Sequence, residues 1–156
     1  MRTLAEIEGR LDDLARTSVT GSLHGTGLPS PSPDVSAGEL LSVGEDVLAH
    51  WLAARGLEPT REKREGFRLL ALHRQGTTGE PSFNACRETC RELVYHYNLL
   101  TMDPQHEDTP RRLRMMALVA NHLRLFVVGK MQVAGLGDFC CSSRPVREEA
   151  ARGDQA

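Results

Sequence analysis

Aromatic residues are scarce in this chain: one Trp, two Tyr and four Phe among 156 residues, or 4%. Its core must therefore come from Leu, Val, Ala and Met. That composition favours helices over a β-sandwich, whose pleated faces take aromatic and β-branched residues. Long apolar runs are also missing. The most apolar stretch, 115–128, is broken by Asn121, His122 and Arg124, and a bilayer needs about 20 mostly apolar residues. The chain start carries Glu6, Glu8, Arg10, Asp12 and Asp13, which leaves no apolar segment of signal-peptide length. Neither sign of charge dominates: the net charge is −2, so no global field draws nucleic acid or an anionic membrane. Catalytic signatures are missing too. There is no P-loop, dinucleotide fingerprint, Gly-x-Ser-x-Gly or His-Glu-x-x-His, and no spacing ties Ser, His and Asp into a triad. Four cysteines without a secretory signal read as reduced thiols of a cytoplasmic protein.

What is present is helical periodicity with punctuation. Thr3 and Glu6 form a capping box, and Leu4, Ile7, Leu11 and Leu14 recur at three- and four-residue spacing as a narrow apolar stripe. This predicts an amphipathic helix over 1–16. Residues 17–35, rich in Gly, Ser and Pro, read as a flexible linker with a stiffer end. A helical domain over 36–141 follows, and then a disordered tail, 142–156.

Within that domain Ser36 and Glu39 form a second capping box, and Gly56 stops a helix over 36–55. Thr60 caps a helix over 61–75 ending at Gly76, and the mixed charges Arg61-Glu62-Lys63-Arg64-Glu65 read as its solvated start. A third helix spans 83–101, with Cys86, Cys90, Leu93, Val94 and Tyr97 on one stripe. Thr109 caps a fourth over 110–134, with Pro110 at its first position. The expected fold is all-α, an antiparallel four-helix bundle with a short N-terminal helix on a flexible linker.

The fourth helix is apolar on two faces. One carries Leu113, Ala117, Ala120, Val127 and Met131; the other Met115, Leu118, His122, Leu125 and Phe126. Such a helix is either central or covered by a partner, which points to a homodimer through 110–134 or to a seat for the N-terminal helix.

The cysteines are the clearest chemical constellation. Cys86 and Cys90 share a helix face, and Cys140 with Cys141 follows the last helix. Antiparallel packing would bring all four to one end of the bundle, a set suited to zinc or an iron–sulfur cluster. Arg87 and a helix N-terminus beside Cys86 would lower its pKa and suit a redox switch. Against this, Cys86 and Cys90 lie on a core stripe, and C-x3-C is not the zinc-ribbon spacing. His50, His73, His96 and His122 put one imidazole on each bundle helix, and Arg124 is a charge on an apolar face, expected to pair with Glu88 or Glu92 or to reach out to water.

The reading is a non-catalytic accessory or adaptor protein acting through protein contacts, its stripe Leu4, Ile7, Leu11 and Leu14 docking in a partner's groove. Folding back of that stripe onto the fourth helix is the competing outcome. The alternative function is a thiol-based metal-binding, iron–sulfur or redox-sensing protein using Cys86 and Cys90 with Cys140 and Cys141.

Overall fold

In a computed structural model, which describes residues 1–20 and 31–136, the chain is all-helical, with five α-helices packed together. They are α1 (Leu4–Thr20), α2 (Pro33–Ala54), α3 (Arg68–Thr77), α4 (Arg87–Met102) and α5 (Thr109–Val133), and a 3-10 turn, Pro81–Cys86, leads into α4. Among the described residues no helix is long and apolar enough to cross a membrane.

The ends of the helices follow local chemistry. The first capping box forms as expected: the Glu6 amide donates to Thr3 Oγ1 at 3.2 Å, and the Thr3 amide to the Glu6 carboxylate at 2.6 Å. At the end of α2 the Gly56 and Leu57 amides donate to Ala53 and Leu52 carbonyls, with Gly56 at φ 74°. This left-handed stop is open to glycine at little cost. Gly135 closes α5 in the same way.

Four boundaries differ from expectation. Helix α2 begins at Pro33 with Ser32 before it, so Ser36 is buried inside the helix and makes no cap. Asp108 precedes α5, and the Thr109 hydroxyl instead donates to the Pro104 carbonyl at 3.2 Å. The largest correction concerns the helix expected over 61–75. Residues 57–67 are not helical, and α3 starts at Arg68. Arg64 and Phe67 exchange both backbone hydrogen bonds, at 3.0 and 2.9 Å. Glu65 and Gly66 between them take φ 52° and 84°, the two positive values a tight hairpin turn of the I′ kind requires. Glycine at the second position makes that turn affordable, and it breaks the charged run before a helix can start. Gly76 is not a stop either: it lies inside α3, buried against Phe83 and Trp51.

Helices α2 and α5 are central. Each packs against α1, α4 and the other, and α2 also covers α3. The core contains fully buried Leu40, Leu48, Leu52, Leu72, Leu93, Leu100, Met116 and Leu123, with few rings, as the composition requires. The expected N-terminal appendage is part of this body. Ile7, Leu11 and Leu14 are buried with the core, and Leu4 packs half-buried against it. Polar ties reinforce the contact: Arg10 meets Glu39 of α2 at 2.5 Å, and Arg2 meets Asp46 at 2.9 Å. Arg124 pairs with Glu8 of α1 at 3.4 Å, not with Glu88 or Glu92.

Candidate functional site

The chemistry-bearing side chains meet where α3, the 3-10 turn and α4 come together. The short turn Pro81–Cys86 places Phe83 inward, and Phe83 stacks on Trp51 with centroids 4.9 Å apart and planes 9° from parallel. His73 of α3 stacks on the same ring at 6.0 Å, and Phe126 of α5 tilts against it at 6.1 Å. Three of the scarce aromatics, Trp51, Phe83 and Phe126, thus meet at one point, where each ring buries large area and orders its neighbours.

Cys86 and Cys90 lie behind this cluster, 1% and 0% exposed, both as free thiols. Cys86 Sγ donates to the Phe83 carbonyl at 3.1 Å. A hydrogen bond from Cys90 lowers the Cys86 thiol to about 6; burial opposes this, and the neighbouring His73 lowers it further. The same bond, together with burial, pushes Cys90 well above its ordinary value. The bond favours the proton on Cys90 and, once Cys86 gives up the proton it shares with the Phe83 carbonyl, the charge on Cys86. An imidazole next to a thiolate-leaning sulfur is the pairing that activates cysteine nucleophiles. Here the sulfur has almost no surface, and His73 Nε2 has no hydrogen-bond partner to orient it. The pair is therefore built into the core.

Among the described residues no group of three or more His, Cys, Asp or Glu is placed to hold a metal ion. Cys140 and Cys141 lie outside the described residues, so the structure places only Cys86 and Cys90 of the four-thiol set together. The histidines do not converge. His50 Nε2 donates to the Arg2 carbonyl at 2.5 Å, His96 stands 3.8 Å from Glu92, and His122 is exposed on α5. Burial holds the His96 imidazole below its ordinary pKa.

The stripe assigned to a partner, Leu4, Ile7, Leu11 and Leu14, is instead covered by the chain's own α2 and α5. The physical reason is the unsatisfied apolar area of α5. Even so, α1 covers only part of α5. Met115, Leu118, Leu125 and Val133 remain 41%, 63%, 55% and 65% exposed. A groove of about 340 Å³ runs beside them between the two helices, lined by Leu11, Ala15, Ala117 and Leu118.

Comparison with protein families, with curated proteins and with solved structures returned no match.

Proposed function

We propose that this chain is a non-catalytic helical accessory protein of the cytoplasm that works through protein–protein contact, and that its contact surface is the outer face of α5. The body presenting that surface is read as an antiparallel bundle of α2 to α5. The observation carrying the proposal is the line of exposed Met115, Leu118, His122, Leu125 and Val133, with half-buried Gly129 among them. Its three- and four-residue steps are those of a coiled-coil seam.

The occupant is a second copy of the chain. Antiparallel pairing about a two-fold axis between 123 and 124 sets Leu118 opposite Gly129 and His122 opposite Leu125 of the other copy. A two-fold interface needs such self-complementarity. Gly129 has open space where a side chain would stand, so it offers a hole for the leucine. The same register brings Arg114 of one copy to the C-terminal end of the other α5, where a cation is favourable.

Sedimentation of the full chain over a concentration series tests this. The expected result is a concentration-dependent dimer that Leu118→Glu with Leu125→Glu converts to a monomer of unchanged helicity. A chain that stays monomeric at about 1 mM, where even the weakest specific pairs form, would refute the proposal.

The alternative, a thiol-based metal or redox protein, draws on the hydrogen-bonded Cys86–Cys90 pair beside His73. Metal analysis and an absorption spectrum after anaerobic purification test it: stoichiometric zinc or iron would favour it.

A further inference from the structure

A second feature lies on a different side of the fold. Between α3, the start of α4 and the Arg64–Phe67 turn is a cavity of about 310 Å³, room for about ten waters. Among the described residues four guanidinium side chains line it, Arg64, Arg74, Arg87 and Arg91, and no carboxylate does. In a chain with 21 acidic and 19 basic residues, this is a local reversal of the charge balance. Arg91 shares its charge with Glu65 at 3.3 Å. Among the described residues no carboxylate pairs with Arg64, Arg74 or Arg87. Like charges gathered this way repel one another unless an anion sits between them.

The floor of the cavity supplies an independent sign. His73 lines it, is 7% exposed, and leaves Nε2 buried without a hydrogen-bond partner. A buried nitrogen without a partner is costly, and it belongs to a residue that lines a space ringed with cations. Asn84 adds an amide at the edge.

We infer that this cavity binds a small oligophosphate, either inorganic pyrophosphate or the diphosphate of a nucleotide. Arg64, Arg74 and Arg87 hold its oxygens above the floor that His73 helps to form. Guanidinium forks match phosphate oxygens in pairs. Three cations without acidic partners call for more negative charge than one carboxylate brings, and the volume exceeds that of a single phosphate. Among the described residues His73 is the only ring lining the cavity, so recognition falls on the phosphate chain and not on a base stacked between aromatics.

Titration calorimetry on the full chain tests this with pyrophosphate, adenosine diphosphate and citrate as separate ligands. Both phosphates are expected to bind with a dissociation constant on the order of 10–100 μM, weakening as salt rises. Arg74→Gln with Arg87→Gln replaces two exposed side chains and should weaken binding at least about tenfold. Arg111→Gln, on α5, should leave it unchanged. Equal affinity for the two phosphates supports recognition of the inorganic chain alone, and tighter adenosine diphosphate supports a nucleotide. No heat with either phosphate at millimolar concentration overturns the inference. So does binding indifferent to Arg74 and Arg87, or citrate binding as tightly as pyrophosphate.

Discussion

Gly76 is the position where the packing of the aromatic cluster is most directly testable. A Cβ built there would stand 2.9 Å from Phe83 Cε1 and 3.3 Å from Trp51 Cδ1. Neither ring is free to move. Trp51 is clamped between Phe83, at 4.9 Å, and the Arg55 guanidinium, at 5.4 Å, and Phe83 is also held by His73 and Phe126. In Gly76→Ala two effects compete. Alanine favours the helix by about 1 kcal/mol, while forcing a methyl into a filled site costs about 1–3 kcal/mol. Overpacking should win by about 1 kcal/mol, lowering Tm by about 2–4 °C for a chain of this size. Gly38→Ala in α2 isolates the first effect, because nothing lies within 4 Å of its Cβ position; it should stabilise by about 0.4–1 kcal/mol. Thermal and urea unfolding of both variants measure the difference. A double-mutant cycle with Phe83→Leu should show favourable coupling of about 0.5–3 kcal/mol, since the smaller side chain makes room for the methyl. If Gly76→Ala is as stable as Gly38→Ala, the stacked Trp51–Phe83 arrangement over α3 is wrong.

The remaining predictions are shorter. Ile7→Ala should cost about 2–5 kcal/mol of unfolding free energy, as for a core residue, because Ile7 is fully buried; an unchanged Tm would mean that α1 is a free arm. The Cys86 thiolate, followed by its ultraviolet absorbance, should titrate near 6, and Cys90→Ala should move that titration upward by removing the hydrogen bond. Because the folded pKa lies below the unfolded value of about 8.5, the Cys86 contribution to stability is full above that value. It is lost as the pH falls through about 6. Cys86→Ala should therefore flatten the stability profile between those limits, and a parallel profile in the variant would refute the assignment. Burial disfavours the charged His96 imidazole, so stability should also fall as the medium drops below about 6.5, and His96→Asn should reduce that fall.

How much of this was legible depends on the range of the interactions involved. The Thr3–Glu6 box and the stops at Gly56 and Gly135 are local, closed within five residues, and all three form. The false helix start at Thr60 shows where local reading fails. A run of good helix formers, Arg61-Glu62-Lys63-Arg64-Glu65, hid a Glu65-Gly66 turn whose sign in the sequence was the single glycine before Phe67. The burial of α1 turned on a competition that spacing cannot decide, because an amphipathic stripe looks the same whether its groove is in the same chain or another. The arginine-lined cavity was invisible for a different reason. Arg64, Arg74, Arg87 and Arg91 come from a turn and two helices, and each alone reads as a solvated surface charge. Only the packing of α3 on α4 sets them around His73. Arg87 and Arg91 did carry a faint signal, being one helical turn apart and each next to a cysteine of the buried pair.

The outer face of α5 also sets the strength expected of the proposed dimer. Its inner line, Met116, Ala120, Leu123, Val127 and Met131, is covered by the fold, so the apolar excess of the helix divides into a satisfied half and an unsatisfied one. Met115, Leu118, Leu125 and Val133 retain roughly half their surface. Covering that remainder is worth about 1 kcal/mol per side chain, since full burial is worth about 1.5–3. Summed over two copies, the gain is about 8 kcal/mol, and association itself costs at least about 4. The difference corresponds to a millimolar dissociation constant. Gly129, by letting the helices approach closely, and Arg114 at the opposing helix end add to it and move the expected value towards the micromolar range. A weak, reversible dimer is therefore the outcome consistent with this surface. A nanomolar dimer would require contacts beyond the stripe, and Leu118→Glu with Leu125→Glu would then fail to dissociate it.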